Sequence, residues 1–283
     1  MILKSVLSIG MLIFFSVSCR RKTEVLKSPP GYDFSMMERT KLDLALREVS
    51  GIAWDHVKNE FAIVCDERGR VYYLDRETKI IRTQLDFAKK GDYEDIAFVN
   101  SVPYILQSDG LIVRCDVDSA GNISGTEIGK LDIEGSADFE TIYYDPGRKA
   151  LIIMCKNCGM DEKKKISAFA YYLDSTGFNK EPVFQIDVAA VESRAPQKTS
   201  RPEPSGASIN PVQQKLYILS SASNQLIITD LNGNVENVFV LASGDDFFKQ
   251  PEGICFKQSG DMYITNEGIT GSPTLIMNRL LKK

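Results

Sequence analysis

A chain of 283 residues, 43% hydrophobic and 25% charged, has the composition of an ordinary globular protein and the length for one large domain or two small ones. Its 38 acidic residues against 34 basic ones give a formal net charge of −4, and no basic, aromatic-interleaved stretch interrupts that balance. A nucleic-acid partner is therefore excluded as the reading of first resort.

The first 19 residues stand apart. Lys4 supplies a positive start, and Val6 to Val17 form an apolar run broken by Ser8, Gly10 and Ser16. The run is short for a membrane span and ends in small residues, as a secretory signal does. It leads to Cys19, followed by Arg20, Arg21 and Lys22. FSVSC resembles a loose bacterial lipobox with Cys19 as the lipidated residue, although Ser16 stands where Leu is commoner; an ordinary signal peptide or an uncleaved anchor is the alternative. Residues 1–19 are thus read as a signal peptide with a lipobox cysteine, and 20–31, with Pro29 and Pro30, as a tether. The expected location is the periplasmic side of a bacterial cell membrane or outer membrane, and attachment strengthens by about 0.8 kcal/mol per buried CH₂.

From residue 32 to residue 283 the chain repeats itself. EVSGIAW (Glu48–Trp54), DYEDIAFV (Asp92–Val99), DFETIYYD (Asp138–Asp145), EPSGASIN (Glu203–Asn210) and QPEGICF (Gln250–Phe256) align on one column: Ser50, Glu94, Glu140, Ser205 and Glu252. A second apolar run follows each marker, at Glu60–Asp66, Pro103–Asp109, Ala150–Lys156, Lys215–Ser221 and Asp261–Glu267. A third comes at Arg70–Asp75, Leu111–Val117, Ala168–Asp174, Gln225–Leu231 and Thr274–Leu280. A fourth closes the first four units, at Ile80–Phe87, Thr126–Ile133, Glu181–Val188 and Val235–Ala242. The runs are short, rich in β-branched and aromatic residues, and bounded by Gly, Asn, Asp or Pro, so they read as strands. Four strands per unit at a period in the mid-forties is the pattern of a β-propeller blade. The fifth unit lacks its last strand, and MERTKLDL (Met37–Leu44) near the N-terminus matches RTQLDF of the first unit. The expected fold is all-β, a single five-bladed propeller whose last blade is closed by this N-terminal strand. A six-bladed ring needs a unit hidden between Glu140 and Ser205; the extra sequence there (Asn157–Lys165 and Ala189–Pro202) reads as long loops.

In a propeller the first strand of each blade lines the channel, so Glu94, Glu140 and Glu252 are expected to converge near the axis with Ser50 and Ser205. Three converging carboxylates either take up protons or are compensated by a cation. Oxygen ligands without His or Cys suit Ca²⁺, or less well Mg²⁺. Asp66, Glu67, Asp109, Asn266 and Glu267, at the ends of the second runs, add oxygen. Three readings of the ring stand together: clips between blades, a cation site, or a catalytic acid. The adjacent column of Gly51, Asp95, Thr141, Gly206 and Gly253 indicates tight packing at the channel.

His56, the only histidine, is expected to be exposed and far from the ring, which leaves a Ser-His-Asp triad or a zinc site without support. Cys65, Cys115, Cys155, Cys158 and Cys255 are odd in number without Cys19, so at least one thiol is unpaired. Cys155 and Cys158 have CxxC spacing without a thioredoxin-like context; a local disulfide and two idle thiols are both open. Met160–Lys165 reads as a solvated loop.

The run from EVSGIAWD through GDYEDIAF, DFETIYYD and EPSGASINP to QPEGICF and MYITNEG resembles the SdiA-regulated (YjiK-like) family, and the lipoprotein start is similar to its Bacteroidetes members. The resemblance implies a five-bladed propeller, a membrane-associated segment and a calcium site, but no established reaction. It carries that site to Glu94, Glu140 and Glu252, and to Asp66 and Glu267. The functional expectation is a membrane-anchored module that binds a cation, with Ca²⁺ as cofactor, and presents its channel mouth to a small molecule or protein. No catalytic residue is assigned. The alternative is a Ca²⁺-dependent lactonase- or esterase-like hydrolase.

Overall fold

Alternating β-branched and aromatic residues, cut every six to eight positions by Asp-, Asn- and Gly-containing turns, build short antiparallel strands joined in sequence order. The computed structural model describes residues 27–175, 177–241, 247–269 and 271–281; the signal-peptide and lipobox expectations, Cys19 included, lie outside them. Strand β1 (Glu38–Lys41) comes first. Blade one is β2 (Val49–Asp55), β3 (Glu60–Cys65), β4 (Arg68–Leu74) and β5 (Ile81–Lys90). Blade two is β6 (Tyr93–Val99), β7 (Val102–Gln107), β8 (Leu111–Val117) and β9 (Ile123–Lys130). Blade three is β10 (Phe139–Asp145), β11 (Ala150–Cys155), β12 (Lys165–Tyr172), the two-residue β13 (Gly177–Phe178) and β14 (Phe184–Asp187). Blade four, after helix α1 (Val188–Arg194), is β15 (Gly206–Asn210), β16 (Lys215–Ser220), β17 (Gln225–Thr229) and β18 (Val235–Val240). Blade five is β19 (Pro251–Phe256), β20 (Met262–Asn266) and β21 (Thr274–Asn278), completed by β1.

Among the described residues the strands thus form five sheets arranged as a five-bladed propeller, not six. Strand β1 pairs antiparallel with β21, Glu38 opposite Met277 and Lys41 opposite Thr274, as the displaced repeat segment predicted. This covers an edge that would otherwise expose unpaired N–H and C=O groups. The inner strands β2, β6, β10, β15 and β19 pack side by side around the axis, β19 against β2.

The core is five wedges, one between each pair of neighbouring blades. Trp54, Phe61 and Tyr72 of blade one meet Cys255, Tyr263 and Leu275 of blade five, for example, and Ile152, Ile166 and Ile186 of blade three meet Ile218 and Ile227 of blade four. A second strand is covered on both faces, so β3 and β11 are buried at every position. That is why these segments read as unbroken apolar runs instead of alternating ones.

The sequence between blades three and four departs from expectation. Ala189–Pro202 was expected as loop, but α1 occupies its first part. Asp187 caps the helix by accepting from Ala189 N–H at 2.9 Å, and Val188 and Val191 turn inward. The strand ends also shift: β5 runs on to Lys90, and β9 begins at Ile123.

Candidate functional site

Four of the five inner strands begin with a β-bulge. The register slips between Val49 and Gly51, Tyr93 and Asp95, Phe139 and Thr141, and Pro251 and Gly253. The extra residue is in each case the marker of the repeat: Ser50, Glu94, Glu140 or Glu252. A bulge re-aims one side chain without disturbing the ladder beyond it. The channel mouth at the start of the strands is therefore built by bulge residues.

The hydroxyl and carboxylate members then do different things. Ser50 Oγ donates to the Tyr93 carbonyl of the next blade at 2.7 Å, and Ser205 Oγ donates to the Pro251 carbonyl at 2.8 Å. These two are inter-blade clips. A third clip belongs to the neighbouring column: fully buried Asp95 accepts from Ile96 N–H at 2.8 Å and from Ile142 N–H of blade three at 3.0 Å. The rest of that column is small for steric reasons. A Cβ at Gly51 would lie 2.6 Å from Asp95 Cα, and one at Gly206 would lie 2.5 Å from the Glu252 carbonyl oxygen.

The three glutamates are left for the mouth. Burial, reinforced by the charge of Glu140, pushes the Glu94 carboxyl up to about 9. Burial also raises Glu252, to about 8, against the pull of a Gln250 hydrogen bond. Glu140 rises through burial to about 7, held down by its ion pair with Lys156. Burial works to lower the Lys156 ammonium, but its hydrogen bond to Glu140 and the charges of Glu140, Asp138 and Glu94 outweigh that and leave it raised. Lys156 is thus a cation built into the ring. It sits between Cys155 and Cys158, which form a disulfide, and Arg201 donates to the Lys156 carbonyl at 3.1 Å. The other cysteines described, Cys65, Cys115 and Cys255, are free and buried.

A second corner is wholly acidic. Carboxylate oxygens of Asp66, Asp92 and Glu94 all lie within 4.8 Å of one another. Asp66 comes from the end of β3 and reaches the next blade because its carbonyl accepts from Tyr93 N–H at 2.9 Å. Burial, then the hydrogen bond and charge of Asp92, raise Asp66 to about 6, while a hydrogen bond from Ser108 holds Asp92 low. Asp138, raised by burial, continues the acidic rim toward Glu203. On the far side Glu267 hydrogen-bonds Gln250, which also reaches Glu252.

Of the candidate ligands, Glu94 and Asp66 meet in one corner, Glu140 is taken up by Lys156, and Glu252 and Glu267 are joined through Gln250. Glu67, Asp109 and Asn266 face elsewhere. Glu67 pairs with Lys90, Asp109 with Lys130 at 2.5 Å, and Asn266 donates to the Phe247 carbonyl. Sequence reasoning missed Asp92, Asp138 and Lys156. The first two stand two residues before the marker column. Lys156 is the one basic residue in the strand-end column Asp66, Ser108, Lys156, Ser221, Glu267.

Farther along the inner strands stand Ile52, Ile96, Ile142, Ala207 and Ile254, all buried. With Trp54, Phe98, Tyr144, Ile209 and Phe256 at the strand ends they line a cavity of about 450 Å³. His56 sits at its rim, exposed and at the opposite mouth from the carboxylates.

The backbone is similar to several solved propellers. A glutaminyl cyclase from Myxococcus xanthus superposes with a TM-score of 0.59 at 16% identity, over 86% of this chain and 94% of that one. The PQQ-bound aldose sugar dehydrogenase of Streptomyces coelicolor gives a TM-score of 0.52 at 12% identity, over 88% and 99%. A gluconolactonase from Xanthomonas campestris gives 0.50 at 13% identity, over 83% and 86%. At these identities the likeness concerns the fold alone. The sequence model described as SdiA-regulated matches residues 26–269, and by that match over most of its length the chain belongs to the SdiA-regulated family.

Proposed function

We propose that this chain is a cation-binding propeller module whose acidic mouth, loaded with a hard divalent cation such as Ca²⁺, engages a small molecule or protein. One observation carries the reading: the carboxylates of Asp66, Asp92 and Glu94 converge within 4.8 Å, beside a ring whose one ammonium, Lys156, is spent on Glu140. The donors are all oxygen, and Glu94 and Glu252, raised first by burial and then by the charge of neighbouring carboxylates, are groups whose charged forms a cation would stabilise. Asp66, Asp92 and Glu94 would hold the ion, with Glu140, Glu252 and Glu267 around it. Its chemistry would be to neutralise this charge and offer a positive centre to an oxygen of the partner.

Calcium titration followed by thermal melting tests the reading. Ca²⁺ is expected to raise the melting temperature of the native chain, and Glu94→Gln with Asp92→Asn is expected to abolish the rise. An unchanged melting curve at millimolar Ca²⁺ and Mg²⁺ overturns it.

The same proposal places the module on the periplasmic side of a bacterial membrane, held by a lipid on Cys19. Among the described residues no helix is long and apolar enough to cross a membrane. Cys19→Ser is expected to release the protein from the membrane fraction.

A second reading, a Ca²⁺-dependent lactonase- or esterase-like hydrolase, draws on Glu140. A carboxyl near 7, hydrogen-bonded to an ammonium beside a metal corner, is poised to give and take a proton at neutral pH. A lactone and ester screen decides it: hydrolysis lost in Glu140→Gln, with the Ca²⁺-dependent melting shift retained, favours the enzyme.

A further inference from the structure

The two mouths of the channel differ in which one the N-terminal segment leaves from. The Gln213 side-chain amide donates to the Pro30 carbonyl at 2.7 Å, and Leu281 N–H donates to the Gly31 carbonyl at 2.8 Å. The Tyr32 hydroxyl donates to the Gly260 carbonyl at 2.5 Å and accepts from Asn210 Nδ2 at 2.6 Å. Asn210, Gln213 and Gly260 all lie where inner strands β15 and β19 end, at the apolar mouth. Between Cys19 and Lys27 lie only eight residue steps, which reach about 27 Å when fully extended. The inner strands that separate the two mouths are five to seven residues long, about 17–24 Å. A tether leaving the apolar mouth would have to be almost fully extended to hold the acidic mouth against the same bilayer, at a cost in chain entropy that the apolar mouth does not incur.

We propose that the apolar mouth rests against the lipid bilayer and the acidic mouth faces the aqueous compartment. The proposal rests on the lipid anchoring of Cys19 described above. Val57 and Val212, in the turns that edge the apolar mouth, are 74% and 54% exposed, and Ile80 and Leu281 are exposed on the same side. Trp54 and Tyr144, residue types that favour the membrane interface, line the cavity that opens there. The carboxylates that end β2 and β10 at this mouth are engaged within their own turns. Asp55 accepts from Val57 and Lys58 N–H, and Asp145 from Gly147 and Arg148 N–H. Leu44 and Ile269 are also exposed, at the acidic rim, so apolarity alone does not choose a face. The tether chooses, and repulsion between the acidic mouth and anionic headgroups works in the same direction.

The test uses the full lipidated chain in vesicles of phosphatidylethanolamine and phosphatidylglycerol, with and without lipids brominated in the acyl chain. Trp54 is the only tryptophan, so Trp54→Phe gives a dark background for reporters. In that background Val212→Trp is expected to lose fluorescence in brominated vesicles and Ile269→Trp to keep it; native Trp54 gives an independent reading without substitution. Equal quenching of the two reporters, or quenching of Ile269→Trp alone, overturns the orientation while leaving the anchor intact. Failure of the chain to float with vesicles overturns the anchor reading, and this proposal with it.

Discussion

The two mouths of the channel are made by opposite ends of the same five strands, and they obey different rules. Toward the apolar mouth the repeat is nearly uniform: Ile52, Ile96, Ile142 and Ile254 differ only from Ala207, and the next ring outward is large and apolar in every blade. At the acidic mouth the repeat is broken into hydroxyls that clip blades together, carboxylates that converge, and one lysine. Uniform rings answer to packing, which is the same problem five times over. A broken ring answers to something that is not five-fold symmetric, and so is the better place to look for a ligand.

Ile142→Ala attacks the uniform end and is expected to have the largest effect. Removing a fully buried branched side chain costs about 2–5 kcal/mol. Chemical denaturation should show that loss while the melting shift with Ca²⁺ persists; a lost Ca²⁺ response would show the two ends to be coupled.

At the broken end, saturation with Ca²⁺ at a hundred times its Kd is expected to stabilise by about 2.7 kcal/mol. The effect should depend on pH. Folding raises Glu94 to about 9 and Glu252 to about 8 from an ordinary 4.5, so the folded state binds more protons than the unfolded state between those values. The metal-free protein therefore loses stability as pH rises through that window, and the Ca²⁺-induced shift grows as it does. Melting curves at a series of pH values measure both slopes, and a Ca²⁺ shift that shrinks with rising pH would contradict the arrangement.

Lys156→Met sharpens the comparison further. The pair with Glu140 lies between the exposed and buried limits, and its loss is expected to cost about 1–3 kcal/mol in the absence of metal. The Ca²⁺ response should increase, because the ring has lost its internal cation. His56→Ala, at the rim of the apolar mouth, is expected to change stability by no more than about 0.5 kcal/mol and to leave the Ca²⁺ response as it was, both read from the same melts.

Blade number, strand order and the displaced strand were legible because each is written locally, in apolar runs and the turn residues between them. The segment Met37–Leu44 could be matched to its partner unit by its own residues alone. Helix α1 was not legible: seven residues with Val188 and Val191 inward are too short to show a period. The division of labour in the marker column was also hidden. Ser50 and Glu94 both stand at bulges, and what separates them is a contact across blades: the Ser50 hydroxyl meets the Tyr93 carbonyl 43 residues on, a meeting that no single strand records. Lys156 was present in a run that was read as apolar. Its meaning appeared only when the ends of the second strands came to face the starts of the first.

The pairing of β1 with β21 also sets an order of events in time. Strand Glu38–Lys41 has no neighbour to pair with until Thr274–Asn278, more than 230 residues on, has been made. Four blades are complete units of consecutive chain and can form as they emerge, but the circle itself cannot shut before β21 has been made.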